Sequence, residues 1–393
     1  MRPQRPRLWG RCCAPAFRAL WSSRAVSQVG DGVNRVALVL LVADRGPGAV
    51  ALVLLAATLP RLLGPLAGAV VDRADPRRLL TASELTAGAA IVTIALARPA
   101  TPLLLVLAAA AAATCTSTAG RSALPTLVGQ ERVGEATAWL GTALNLQVLL
   151  GGAAGGALVA GLGVRTALLV DAGTFAASVL LLRGLPRLPP APGERARLLA
   201  DTAAGLRYAR RDPAVRALAL GTLALVTFLS LGNVALVFLV HDTLGAPGAA
   251  IGAAQTIYGI GMITGSLALL GRRRGHPVRW LLLGAFAGAA GTATTGLAPA
   301  LALALAGQLV AGAGNAIDVV ASDILVQRVV PRDLLGRVFG LIGTCAQLGA
   351  ALAYSAGGPL LTATSPRTVY LIAGAGSLAA LPLLAPALRA ARP

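Results

Sequence analysis

Apolar runs of about twenty residues recur along almost the whole chain: 17–43, 48–71, 79–97, 102–120, 138–161, 166–184, 214–240, 248–270, 279–297, 300–326, 338–361 and 368–388. A helix of about 20 residues matches the hydrocarbon thickness of a bilayer. Lipid offers no partners to backbone N–H and C=O groups, so runs of this length must be helical. No segment alternates in the ten-residue manner of an outer-membrane barrel. Twelve such spans consume nearly all of the 393 residues and leave no room for a soluble domain. Charged residues make up 12% of the chain, against about 25% in an average soluble domain. The expected fold class is therefore an all-α membrane protein with twelve transmembrane helices.

The net charge of +19 comes from 34 basic residues, all of them arginine. Their placement matters more than their number, because positive charge is retained on the cytoplasmic side of a membrane. The amino terminus, the even-numbered loops and the carboxyl terminus hold 27 of them, the opposite loops hold four (Arg45, Arg98, Arg165, Arg367), and three (Arg24, Arg35, Arg61) fall inside spans. This asymmetry predicts a multi-pass protein of the plasma or inner membrane with both termini in the cytoplasm. It also explains the basic charge through the lipid bilayer, so no nucleic-acid partner is expected. Cys12, Cys13, Cys115 and Cys345 form neither a disulfide framework nor a metal-ligand spacing. No cofactor and no metal are expected.

The longest connection, 185–213, opens with Pro186, Pro189, Pro190 and Pro192 as an extended linker and continues as an Arg-rich amphipathic segment suited to an anionic leaflet. It divides the chain into an amino-terminal six-helix half, 1–184, and a carboxyl-terminal six-helix half, 214–393. The halves repeat: a shift of 202 residues aligns Val128–Leu158 with Val330–Leu360 without a gap, with ten of 31 positions identical, among them Gly134/Gly336, Gly141/Gly343, Thr142/Thr344, Gly155/Gly357 and Gly156/Gly358. Parallel repeats about an axis along the membrane normal describe one large transporter architecture.

The loop after the second span reads GAVVDRADPRR, Gly68 to Arg78, and resembles the signature of the major facilitator superfamily between helices two and three. The resemblance implies two pseudo-symmetric six-helix bundles and a cytoplasmic latch. In that latch Gly68 allows close packing, Asp72 bonds across the domain interface, and Arg73, Arg77 and Arg78 hold acids or lipid phosphates. The equivalent loop of the second half, GRRRGHPVR, lacks the Asp. In the fifth span GGAAGG, Gly151 to Gly156, resembles the superfamily's antiporter signature, with Gly152 where a Pro is usual; small-residue packing of the GxxxG kind reads Gly151, Gly152, Gly155 and Gly156 equally well. Segments such as SQVGDGVNRVAL (27–38) and LVQRVVPRDLLGRVFG (325–340) look like the drug and siderophore efflux branch.

Ionisable groups at membrane depth are expensive and mark function. Asp31 lies about 16 Å from the inner edge of its span, and Arg61 sits at a similar depth on the next, antiparallel helix. The sequence thus predicts an Asp31–Arg61 pair with Arg35, one turn beyond Asp31, as competitor, serving either as a proton-coupling or substrate-cation site or as a permanent structural ion pair. In the tenth span Asn315, Asp318 and Ser322 share a face toward a cavity. Asp323 is the repeat counterpart of Arg121, and the two are candidates for an inner gate. Glu84 is placed near the loop after the second span, and Asp171 near the outer end of the sixth. Gln28, Asn34, Asn145, Gln147, Asn233, Gln255, Tyr258 and Gln347 are candidate cavity walls.

Direct ATP coupling through GxxxxGK[ST] is impossible without Lys. Two histidines, His241 and His276, on opposite faces offer no HExxH site, so an enzyme is not expected. The reading that results is a monomeric secondary active transporter working by alternating access, for the proton-coupled efflux of a hydrophobic, drug-like or siderophore-like small molecule. The alternatives are an importer or facilitator of a small solute, and a non-transporting membrane scaffold or sensor.

Overall fold

The computed structural model describes residues 15–64, 74–97, 102–187, 207–269, 277–331, 334–384 and 386. Helices dominate: α1 Pro15–Ala43, α2 Pro47–Leu62, α3 Pro76–Ala97, α4 Leu103–Ser122, the short α5 Leu124–Val128, α6 Val133–Leu146, α7 Gly152–Leu182, α8 Pro213–Phe238, α9 Ala249–Ala268, α10 Pro277–Leu297, α11 Leu301–Val329, α12 Leu335–Ala363 and α13 Pro366–Ala380. Six of them begin on a proline, which lacks the N–H that the first helical turn leaves unsatisfied and carries a φ suited to a helix. Two are also side-chain capped: Asp212 Oδ1 accepts from the amides of Ala214 and Val215 at 2.8 and 3.1 Å, and Ser365 Oγ accepts from Thr368 N at 3.2 Å.

Among the described residues, nine helical stretches are long and apolar enough to cross a membrane, and α2 is a shorter apolar helix. Leu104, Leu162, Leu283, Phe286 and Leu297 stand more than half exposed, as side chains that meet lipid rather than water do. One stretch, Gln130–Leu182, has 53 residues, roughly 80 Å of helix and far more than one bilayer needs. It is broken at Gly163, whose φ of 82° favours glycine. On either side of that break the run returns to the same place on α1. A Cβ at Gly32 would stand 2.6 Å from Gly151 Cα, and one at Gly30 would stand 2.5 Å from Asp171 Oδ1. Positions 151 and 171 can both meet neighbouring residues of α1 only because the chain doubles back at Gly163.

Two groups of helices pack internally: α1 with α7 and α3 with α4 in the first, α10 with α11, α9 with α11 and α8 with α12 in the second. They meet through α2 against α12 and α9 against α7. The buried apolar clusters show where. The largest joins Val42, Val50 and Leu54 to Leu236, Val240, Ile251 and Tyr354, at the end of the molecule that carries loop 44–46. The two smaller clusters each stay within one group: Phe17, Leu20, Leu80 and Leu182 in the first, Leu218, Leu281, Leu325 and Val338 in the second. Among the described residues, the groups thus share a buried apolar cluster at one end and none at the other. Of the amphipathic segment expected in the linker, residues 207–211 are described and helical.

Candidate functional site

Helix α1 presents Arg24, Gln28, Asp31 and Arg35 at helical spacing on one face. Arg24 is buried and its Nη1 lies 3.4 Å from Oε1 of Glu84 on α3. With its amide oriented by its neighbours, Gln28 accepts from Arg24 Nη2 at 2.9 Å and donates to Asp31 Oδ2 at 3.2 Å and to Gln147 Oε1 at 3.1 Å. Ser23 and Ser178 hydroxyls share a 2.6 Å bond beside this chain. Asp31 is therefore tied to Arg24 through Gln28. Among the described residues Asp31 forms no close ion pair with Arg61 or Arg35, although Arg61 is near enough to act on it electrostatically, and both guanidiniums border open space. Glu84, expected near the loop after the second span, has Arg24 as its partner instead.

That open space is a cavity. Asp31, Arg35 and Arg61 line it together with Asn34, Gln147 and Tyr354 and with aliphatic side chains of α1, α2 and α4. A second cavity of about 370 Å³ shares Arg35 and Gln147 with the first and takes Asn233, Gln255, Tyr258, Gln308, Asn315 and Tyr370 from the other helix group. Arg35 stands between the two. The far wall is hydrogen-bonded: Gln308 Nε2 donates to Tyr370 OH at 3.3 Å, Tyr370 OH to Gly232 O at 3.2 Å, and Asn233 Nδ2 to Tyr354 OH at 3.1 Å. A space between helix groups, mostly apolar with a few placed polar atoms, has the form of a small-molecule site. Sequence reasoning found Asn34, Gln147, Asn233, Gln255 and Tyr258 for these walls. It missed Gln308, Tyr354 and Tyr370, whose polar tips are single atoms inside apolar runs; Asn145 and Gln347 do not line either cavity.

The glycines of GGAAGG face two ways. Gly151 and Gly155 lie against α1, a Cβ on them meeting Gly32 Cα at 2.5 Å and Val33 Cα at 3.1 Å; Gly152 and Gly156 lie against α9, meeting Gln255 Cβ at 3.1 Å and Gly252 Cα at 2.9 Å. Their repeat counterpart Gly358 meets Gly48 Cα and Ala51 Cβ at 3.1 Å. The residues just before this glycine run, Gln147 to Gly151, form a π-helical turn, a feature frequent at functional sites.

Gly68, Asp72 and Arg73 of the latch lie outside the described residues. Arg77 and Arg78 follow Asp75, whose carboxylate accepts from Arg77 N at 2.9 Å, and Arg77 Nη2 donates to Arg183 O at 3.3 Å. Arg121 and Asp323 are both exposed and, among the described residues, not paired. Asn315 reaches the second cavity, whereas Asp318 has its backbone against Gly284 and its Oδ1 without a partner. Asp171, expected near an outer end, is fully buried opposite Gly30 at the depth of Asp31, with the Thr174 hydroxyl donating to its backbone oxygen at 2.7 Å.

Residues 9–390 match the family described as transmembrane secretion effector, MFS_3. The chain belongs to this family of the major facilitator superfamily. Among relatives, the uncharacterized MFS-type transporter YfiS of Bacillus subtilis is 28% identical, with 92% of this chain and 91% of that protein covered. The multidrug efflux pump Tap of Mycolicibacterium fortuitum is 28% identical over 87% and 88% of the two chains, and the enterobactin exporter EntS of Escherichia coli 28% over 83% and 80%. A variant of the nucleoside transporter NupG superposes with a TM-score of 0.78 at 15% identity, covering 94% of this chain and 99% of that one. A bacterial homolog of the lysosomal transporter Spinster, in an inward-facing and unoccupied conformation, superposes with 0.70 at 15% identity over 96% and 97%. The family is one of multi-pass membrane transporters for small molecules, not of enzymes.

Proposed function

We propose that the protein is a monomeric secondary active exporter that works by alternating access and exchanges protons for a hydrophobic, drug-like or siderophore-like small molecule. One observation carries this reading: the walls of a polar cavity come from both helix groups, which among the described residues share a buried apolar cluster toward loop 44–46 and none at the other end. Twelve crossings in two six-helix halves fit the apolar helices, the fold-back at Gly163, and the shorter helices Pro47–Leu62 and Ala249–Ala268. With the arginine-rich ends in the cytoplasm of the cell, the open side faces inward. The names of Tap and EntS support the outward direction of transport. Asp31 is the group we assign to proton coupling, since it lines the cavity and is held by a neutral amide rather than by a fixed counter-ion.

The test is flux in proteoliposomes with an imposed pH gradient, using neutral, anionic and cationic fluorescent amphiphiles. Wild-type protein accumulates at least one probe against its gradient. Asp31→Asn keeps downhill movement of that probe and loses its proton-driven accumulation. Full proton-driven transport by a folded Asp31→Asn protein would overturn the coupling assignment. Absence of any flux by the wild type would overturn the transport reading.

A further inference from the structure

We propose that the cavity takes an anionic amphiphile, with its acidic group held between Arg35 and Arg61. The proposal rests on the transport reading and names the chemical class of its solute. Both guanidiniums line the cavity, both residues are exposed to it, and among the described residues neither has a hydrogen bond or ion pair. Of the acids nearby, Glu84 holds Arg24 and Asp171 is buried against Gly30, while Asp31, which accepts from Gln28, is the one carboxylate on the cavity wall among the described residues and acts on Arg61 without a close ion-pair contact. The cavity surface therefore carries two positive charges against one negative.

Unpaired charge at membrane depth is costly, and a planar guanidinium matches a carboxylate or sulfonate through two parallel hydrogen bonds. An anion bound between the two would satisfy both at once. A cation would meet repulsion from each. Arg35 and Arg61 lie roughly 12 and 21 Å from loop 44–46 along their helices, below the level of the lipid headgroups on that side. Apolar neighbours Leu38, Leu54 and Phe175 receive the hydrophobic body, and the amides and phenols of the opposite wall receive its neutral polar groups.

The experiment is equilibrium binding, without any gradient, to the full chain in phosphatidylcholine nanodiscs with empty nanodiscs subtracted. Two probes of nearly the same ring skeleton are compared, anilinonaphthalene sulfonate and the uncharged N-phenylnaphthylamine. The sulfonate is expected to bind about tenfold tighter. Arg35→Gln and Arg61→Gln are each expected to weaken the sulfonate about tenfold and leave the neutral probe unchanged, with Arg35→Lys intermediate. Equal affinity of the wild type for both probes overturns the proposal, and does so even if a Gln variant fails to fold. Unchanged sulfonate binding by both Gln variants overturns it as well. A second arm adds phosphatidylglycerol at high salt. Undiminished sulfonate affinity supports a solute site, whereas competition by the lipid shows that its phosphate occupies the arginines and overturns it. Anion-selective binding by a protein that moves nothing would sink the transport reading and leave this site standing; proton-driven export without anion preference would do the reverse.

Discussion

Arg24 and Glu84 form a 3.4 Å ion pair between α1 and α3, with the two side chains only 10% and 2% exposed. Arg24 was one of three arginines that membrane sidedness did not account for, and this pair is its reason. Removing one partner of a buried pair leaves the other charge uncompensated, at a cost of about 3 kcal/mol. Glu84→Gln should therefore lower the thermal unfolding midpoint of purified protein clearly, while Arg24→Leu combined with Glu84→Leu recovers most of the loss. A Glu84→Gln protein as stable as wild type would show that Gln28 alone satisfies Arg24.

Gly163 turns the Gln130–Leu182 run back on itself with φ 82° and ψ 164°, a region essentially closed to residues with a Cβ. No described atom lies within 4 Å of where its Cβ would stand, so crowding adds nothing. Gly163→Ala should cost about 1–3 kcal/mol from backbone strain alone, read as a lower unfolding midpoint with unchanged probe binding. A neutral result would mean the turn relaxes into another conformation.

Much of the fold was legible because two signals agree. Apolar runs give the spans, and Pro47, Pro76, Pro213, Pro277 and Pro366 mark where helices begin; the gap between runs 138–161 and 166–184 contains Gly163 itself. The site was less legible, for a reason of geometry. Counting residues along a span gives depth but not the direction a side chain faces, so it brings Asp31 and Arg61 to one cavity wall but does not show which side chain bonds the carboxylate. Gln28, one turn from Asp31, takes that oxygen through a contact that also needs Gln147 from another helix. Asp171 lies eight residues beyond the break at Gly163 and faces Gly30 within α1, a contact that counting along one span does not give. The π-helical turn at Gln147–Gly151 has no local signal, since it accommodates the approach of Gly32.

Tyr370 joins α13 to α8 and α11: its hydroxyl donates to Gly232 O at 3.2 Å and accepts from Gln308 at 3.3 Å, with the side chain 3% exposed. Tyr370→Phe keeps the ring and strands the Gln308 amide, while the Gly232 oxygen keeps its intrahelical bond. The expected destabilisation is about 1–3 kcal/mol. Because Gln308 lines the second cavity, the same variant should also weaken binding of cavity probes. Loss of stability without any change in binding would assign the Tyr370–Gln308 bond to structure alone.

Gly156 against Gly252 and Gly358 against Gly48 are similar contacts between the helix groups, and Gly156 and Gly358 are counterparts at the 202-residue shift. Both seal the end of the molecule at loop 44–46. Ala51, beside Gly358, is only 3% exposed there. A leucine at Gly358 has no space against the backbone of Gly48, so Gly358→Leu should destabilise the sealed arrangement in favour of one open at that end. Against a background with Cys12, Cys13, Cys115 and Cys345 replaced, labelling of Ala51→Cys by a membrane-impermeant maleimide applied from that side should then rise about tenfold, the response to a shift of about 1.4 kcal/mol in the two-state balance. Gly163→Leu, which also adds bulk but at the surface of the loop and away from the seam, should leave that labelling unchanged. If Gly358→Leu labels no faster than its parent, the glycine contact is packing within a fixed assembly and not the seal of an alternating gate.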